Sequence, residues 1–280
     1  MELRLVSEKV STTLITSIVL LLCAQNYVVP TCGAINLCQE KPGQHENEAA
    51  VEVSLQFTKR LRETKDLGVV MGEMFVPDAV LRSIASEKRR KEETKPSDFF
   101  WAPGLFIDIE LLDKLTTEDW KNAYIAANNF LIIGFSYASK RNIDFSKDFN
   151  PTDLYPPEVI SLLGRNPKLR NFIKMKDDIE NFHSVEEVRN ATFTLNKAVT
   201  IMRNTRAKNP ATPKEIDEGL RELRESGFIK PQVEINQDEN LGYPKGTQLV
   251  MVPAYPFYRL VLARMDGKLK IVWAYLNFGD

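Results

Sequence analysis

The feature that most constrains the fold is a chain reversal at Asp266-Gly267, which separates two alternating segments. Aspartate followed by glycine tolerates positive φ at both central positions of a two-residue turn, the geometry that joins antiparallel strands. The sequence therefore predicts a β-hairpin over residues 257–276. Folding about the turn predicts four cross-strand pairs: Met265 with Lys268, Leu262 with Ile271, Leu260 with Trp273, and Tyr258 with Tyr275.

The predicted hairpin carries one apolar face and one mixed face, as a half-buried antiparallel pair requires. The apolar face consists of Tyr258, Leu260, Leu262, Leu269, Ile271, Trp273 and Tyr275. An isolated hairpin is only marginally stable in water, so this face needs a cover. The fold class we expect is α+β, a mostly helical body packed on a C-terminal antiparallel sheet of about four strands that ends in the hairpin.

The body of the chain shows helical periodicity, with apolar residues recurring every three or four positions. Capping residues and breakers place the segments. The helices we predict start at Glu48, Val69, Asp78, Thr117, Glu158, Pro167, Ser184 and Thr212, and a strand covers 228–235. The charged run 87–93 favours a solvated face or a mobile loop after a helix that ends near Ile84.

The first residues resemble an export signal. A start with Arg4 and Lys9 precedes an apolar run over 12–24, which is too short to span a bilayer comfortably, and small residues follow. Cleavage after Ala24 or Ala34 fits the pattern, and we favour Ala34. The expected organisation is a signal peptide over 1–34, a flexible leader over 35–47 and one domain over 48–280. The alternative is a membrane anchor over 10–29.

Composition excludes several classes of function. The 37 basic and 38 acidic residues give a net charge of -1, so nucleic acid is not an expected partner. A membrane contact is expected only through the N-terminal segment, if it is not cleaved. The chain has two histidines and no phosphate-binding loop, dinucleotide fingerprint or zinc pattern, so we expect no metal and no cofactor. Cleavage after Ala34 would leave Cys38 as one odd thiol.

A second aromatic segment surrounds a Pro-Gly turn signal at 99–106. It is either a connection packed on the core, which we favour, or a patch for an apolar ligand or partner. The candidate patch combines these rings with those of the hairpin: Phe99, Phe100, Trp101, Phe106, Tyr124, Tyr258, Trp273 and Tyr275. Asp108 and Glu110 follow the segment, and surface charge is their favoured interpretation. The Asn190-Ala191-Thr192 triplet matches a glycosylation sequon.

Two stretches resemble the NTF2-like (SnoaL-like) superfamily. They are the helical residues from Phe57 through Leu67 with Met74 to Val80, and the hairpin from Tyr258 to Val272. The likeness covers about a quarter of the chain. Such folds place a short strand and one helix between these parts, whereas roughly a hundred and fifty mostly helical residues intervene here. The resemblance implies a cone-shaped apolar pocket, and no particular reaction, because the family includes both enzymes and binding proteins.

The function we expect is that of an exported, non-catalytic protein that binds an unknown protein partner or an apolar small molecule. The alternative is a pocket enzyme, a hydrolase or an isomerase, that uses Asp108 or Glu110 with Tyr124 under the sheet. A third possibility is an assembly role in which Cys38 links two molecules. An open polar cavity beneath the sheet would favour the enzyme, and a filled core would favour the binding protein.

Overall fold

The computed structural model describes residues 44–94, 99–102, 105–139, 155–173, 180–206, 211–235, 240–255 and 258–276. The predicted signal peptide, its cleavage sites and Cys38 lie outside these residues. Within them the fold is α+β, with a helical body and a four-stranded antiparallel sheet near the C-terminus, which confirms the predicted class.

The described residues include seven α-helices. Their bounds are α1 Gln44–Thr64, α2 Leu67–Met74, α3 Ala79–Thr94, α4 Thr117–Ser139, α5 Pro157–Gly164, α6 Val185–Arg206 and α7 Pro213–Glu225. Three short 3-10 helices cover Ile109–Asp113, Pro167–Phe172 and Asn240–Gly242. No helix in this part of the chain is both long enough and apolar enough to cross a membrane.

Two helices differ from the prediction at their ends. Helix α1 begins at Gln44, four residues before Glu48, so it takes in residues assigned to the flexible leader. Helix α3 continues through the charged run to Thr94 instead of ending near Ile84. Lysine, arginine and glutamate are good helix formers, and their charge alone does not end a helix that has already started.

The main sheet has the order β3-β4-β5-β6, and every neighbouring pair is antiparallel. Its strands are β3 Gln232–Ile235, β4 Gln248–Ala254, β5 Tyr258–Met265 and β6 Lys268–Leu276. Strand β3 starts at Gln232, later than the predicted 228, because Gly227 has positive φ and Pro231 lacks a backbone donor. The segment after α2 runs beside β6, and the Val76 amide donates to the Ile271 carbonyl at 3.0 Å.

The predicted hairpin is present, and its turn is confirmed by φ values of 50° at Asp266 and 74° at Gly267. The register is confirmed near the turn, where Met265 pairs with Lys268 and Leu262 with Ile271. The two outer pairs were wrong, because a β-bulge in β6 shifts the register after Ile271. Beyond the bulge the pairs are Val261 with Trp273, Leu260 with Ala274, Arg259 with Tyr275, and Tyr258 with Leu276.

The hairpin is also buried on both faces at its centre, and not on one face as the alternation predicted. Four consecutive residues are buried in each strand, 260–263 in β5 and 271–274 in β6. Successive side chains of a strand point to opposite faces, so runs of this kind require a cover on each side of the sheet. Val261, Ala263 and Val272, assigned to the mixed face, are therefore part of the core.

Helix α1 covers part of the sheet and is tied to it by two hydroxyl groups. The buried Ser54 hydroxyl donates to the Pro253 carbonyl at 2.6 Å, and the Tyr255 amide donates to the Thr58 hydroxyl at 3.3 Å. Phe57 packs between them, edge-on to the Tyr258 ring at a centroid distance of 5.4 Å. A buried polar group needs a partner, and these contacts supply it.

The 99–106 segment forms a second, two-stranded sheet. Strand β1 covers Phe99–Ala102 and pairs antiparallel with β2, Leu105–Ile107. Strand β2 also contacts Phe182 through the backbone. The Phe182 amide donates to the Phe106 carbonyl, and the Asp108 amide donates to the Phe182 carbonyl, both at 2.8 Å. Leu105 and Ile107 are buried in the core, in agreement with the interpretation of this segment as a connection packed on the core.

Candidate functional site

Two predicted ring residues meet where α4 contacts β6. The ring centroids of Tyr124 and Trp273 are 4.9 Å apart, and the Tyr124 hydroxyl donates to the Ala274 carbonyl at 2.5 Å. Phe75 closes the group, edge-on to Trp273 at 6.4 Å. Tyr124 and Trp273 are each only 2% exposed. These rings therefore form part of the folded core.

Tyr258 joins the same region through a buried amide. Its hydroxyl donates to Asn128 Oδ1 at 2.7 Å, and Asn128 Nδ2 donates to the Tyr124 carbonyl at 2.7 Å. Burial raises the pKa of both tyrosine hydroxyls well above the ordinary value, so each stays protonated as a hydrogen-bond donor. This Tyr258–Asn128–Tyr124 network pairs the polar side-chain groups of three buried residues.

The other members of the predicted patch are less buried, or their side chains are outside the described part of the structure. Phe106 is partly exposed on β2, and Tyr275 is 39% exposed on β6. Phe99, Phe100 and Trp101 belong to β1, and their side chains lie outside the described part of the structure. The structure thus brings together Tyr124, Tyr258 and Trp273, with the more exposed Tyr275 beside Tyr124. Phe106 belongs to the smaller sheet.

Asp108 contacts the histidine that the sequence placed at a helix start. Its Oδ2 lies 3.1 Å from His183 Nδ1, and its Oδ1 accepts from the Glu110 amide at 3.2 Å. The hydrogen bond from His183 holds the pKa of the Asp108 carboxyl below its usual value. Sequence reasoning missed this pair because its members are 75 positions apart. Glu110 is exposed, as expected for surface charge.

A groove that the sequence did not predict runs between α1 and α7. Each helix contributes four residues with the same spacing, at positions i, i+3, i+4 and i+7, which places them on one face of a helix. The positions are Glu52, Leu55, Gln56 and Lys59 in α1, and Asp217, Leu220, Arg221 and Arg224 in α7. Seven of these residues line a groove, and the eighth, Asp217, pairs with Lys59 beside it; together they define what we call the α1–α7 groove.

Two ion pairs cross the α1–α7 groove, one at each end. Arg224 Nη2 lies 2.5 Å from Glu52 Oε2, and Lys59 Nζ lies 3.7 Å from Asp217 Oδ1. Glu52, the first of the four positions in α1, pairs with Arg224, the last of the four in α7, so the two helices are antiparallel. The pairs are seven residues apart on each helix, or about 10 Å at the rise of an α-helix.

The floor of the groove between the ion pairs is apolar. Leu55 is 6% exposed and Leu220 is partly buried, with Gln56 and Arg221 on the walls. The cavity has a volume of about 250 Å³. Beside the groove, Gly219 of α7 lies next to the Arg62 guanidinium of α1, which a side chain at position 219 would displace. The groove can therefore hold a small apolar group flanked by charges.

The sequence contains one weak indication of this groove, the apolar residue Leu55. Ala50, Val53, Phe57 and Leu61 recur every three or four residues and form an apolar stripe along α1, and Leu55 lies off this stripe. An apolar residue next to such a stripe indicates a second packing surface, here for α7. The sequence does not show which helix covers Leu55, because that depends on the tertiary fold.

Among the described residues, no three histidine, cysteine, aspartate or glutamate side chains are grouped so that they could hold a metal ion. Comparison of the chain with models of known protein families, with curated protein sequences and with solved structures gives no match.

Proposed function

We propose that the protein is an exported, non-catalytic binding module, and that the α1–α7 groove receives an apolar group of its ligand. The observation that carries the proposal is the apolar floor of the groove, formed by the buried Leu55 and the partly exposed Leu220 between two ion pairs. Pockets that bind ligands are mostly apolar and carry a few polar groups that fix orientation, and this groove has that composition.

The chemistry of the core supports a non-catalytic role. Tyr124, one of the residues predicted for the alternative pocket enzyme, donates to the Ala274 carbonyl, and burial keeps it protonated by raising its pKa. Asp108, its proposed partner, contacts His183 beside β2 instead. Three ring residues of the predicted patch, Tyr124, Tyr258 and Trp273, are buried and stabilise the sheet. We therefore assign ligand binding to the α1–α7 groove and not to these rings. The pocket enzyme stays a prediction.

The size of the groove restricts the ligand. Its volume of about 250 Å³ lies just below the range of pockets that enclose a drug-sized molecule, roughly 300 to 1,000 Å³. A single apolar chain or side chain fits this space better than a ring system. Export of the protein is supported by the apolar run over 12–24 and the small residues that follow it.

Titration of the isotope-labelled protein with 1-decanol tests the proposal. We expect the methyl resonances of Leu55 and Leu220 to shift in a saturable manner, while those of Leu269, on the hairpin, stay in place. Gln56→Trp adds a large ring to the wall of the groove and should abolish the shifts. Gln232→Trp, on the exposed part of β3, is the matched control. Shifts that persist in Gln56→Trp would refute the assignment of the groove.

A further inference from the structure

We infer that the ligand of the α1–α7 groove is a medium-chain fatty carboxylate, whose alkyl chain contacts Leu55 and Leu220 and whose carboxylate is held by Arg221 and Lys59. The inference rests on the proposed function and names the chemistry of its ligand. It follows from the charges on the groove walls, from how firmly each is already paired, and from the distance between the two ion pairs.

The α1–α7 groove contains three cations, Lys59, Arg221 and Arg224, and two acids, Glu52 and Asp217, so its net charge is positive. Glu52 is already engaged, because Arg224 Nη2 lies 2.5 Å from its carboxylate. A cationic head group entering the groove would meet this acid only in competition with Arg224. The lining therefore disfavours a cationic ligand.

The other two cations are held weakly. Lys59 lies 3.7 Å from Asp217, and Arg221 lies 3.9 Å from Glu225 on its own helix, both beyond hydrogen-bond distance. All four side chains are about half exposed or more, and ion pairs of this kind contribute little to stability. Lys59 and Arg221 can therefore turn towards a ligand carboxylate at small cost.

Arg221 is well placed for the head group. It follows Leu220 directly and lies one helical turn from Arg224 and from Asp217, so it is on the wall between the two ion pairs. A guanidinium can donate two parallel hydrogen bonds to one carboxylate, and charge-assisted bonds of this type are about twice as strong as neutral ones. An alcohol of the same chain length forms no such pair.

The geometry of the floor favours a linear chain. The two ion pairs close the groove about 10 Å apart, which follows from seven residues at the helical rise. Leu55 and Leu220 lie between them, one from each helix. A straight alkyl chain can contact this floor between the two ion pairs and bury apolar surface there, and apolar burial favours its binding.

Isothermal titration of the whole purified protein tests the inference with three probes of equal chain length, the two charged ones used below their micelle concentrations and the alcohol below its solubility limit. The probes are decanoate, 1-decanol and decyltrimethylammonium. We expect decanoate to bind about tenfold more tightly than decanol, a difference of about 1.4 kcal/mol, and the cation to bind most weakly. Added salt should weaken decanoate binding and leave decanol unchanged, because only the carboxylate is screened.

Two variants locate the head group. Arg221→Gln should reduce decanoate binding to the level of decanol and leave decanol binding unchanged, which a general loss of structure would not do. Arg264→Gln, at the exposed end of β5, should change neither. Equal affinity for decanoate and decanol, or tightest binding of the cation, would overturn the inference and leave the proposed function standing. If none of the three probes binds, both fail.

Discussion

Asp119→Asn should destabilise the protein by about 2 kcal/mol at neutral pH. Asp119 lies in the first turn of α4, where its carboxylate accepts from the Thr116 amide at 3.0 Å and its own amide donates to the Thr116 hydroxyl. It also contacts Arg189 of α6 through two hydrogen bonds, at 2.7 and 3.0 Å. The carboxylate thus caps one helix and joins it to another.

The magnitude follows from the acidity of this carboxyl. The hydrogen bond from Arg189 lowers the pKa of Asp119 from 3.8 to about 2, despite its burial. The difference of about 1.8 corresponds to about 2.4 kcal/mol at 1.36 kcal/mol per unit. Because Arg189 is 58% exposed and solvent screens it, we expect about 2 kcal/mol.

The sign of the pH dependence is fixed by the direction of this shift. A group whose pKa is lower in the folded state contributes stability above its unfolded pKa and loses it as the pH falls through the folded value. The difference between the parent and Asp119→Asn should therefore be complete above about pH 5 and shrink towards about pH 2.

Urea unfolding followed by circular dichroism at several pH values between 7 and 2.5 measures the effect. The midpoint should fall in the variant at neutral pH with an unchanged slope. Glu118→Gln, the exposed acid next to Asp119, is the control and should change the free energy of unfolding by less than about 0.5 kcal/mol. A difference that stays constant down to pH 2.5 would refute the reasoning, because it could not come from the carboxylate charge.

Three further substitutions probe contacts described above or close to them. Ser54→Ala leaves the Pro253 carbonyl without its hydroxyl donor and should cost about 1–3 kcal/mol in urea unfolding; no loss would mean that water replaces the hydroxyl. Gly267→Ala places a side chain at φ 74° and should lower the free energy of unfolding by about 1–2 kcal/mol, while Gly72→Ala, where a Cβ meets nothing, should not destabilise. Burial raises the pKa of Asp66, but the hydrogen bond from Asn129 and the charge of Arg203 outweigh it and hold the pKa below its usual value. Asp66→Asn should therefore destabilise at pH 7 and lose that effect as the pH falls through the carboxyl range, and a constant effect in pH-dependent unfolding would contradict this.

The sequence predicted those parts of the fold that are encoded locally. The capping box at Thr212 and Glu215 is present at the start of α7, and Asp266-Gly267 forms the predicted turn. Such signals involve residues within a few positions of one another, so no knowledge of the tertiary fold is needed. Alternating side chains could likewise predict that Ile271 and Trp273 are buried.

The bulge in β6 could not be predicted, since Val272 continues an ordinary apolar run. Which residue is left unpaired depends on what packs against each face of the sheet, and those elements come from distant parts of the chain. The α1–α7 groove could not be predicted either, because the sequence of a helix does not show which other helix packs against it. Aromatic residues such as Tyr124 were predicted to form a ligand or partner patch, but sequence alone does not show whether a ring lies in the core or on the surface.

The contacts between α1, the segment after α2 and the main sheet have a consequence for biosynthesis. Ser54 is 199 positions from Pro253, and the carbonyl that pairs with the Val76 amide is available only after Ile271 has been synthesised. While the ribosome is still making the intervening residues, the N-terminal helices have no sheet to cover their apolar side chains. Closing such long loops is slow, so the nascent chain should stay open until β4 to β6 emerge. A ribosome-bound chain arrested before residue 248 should therefore be degraded by protease, whereas one released after residue 276 should resist it.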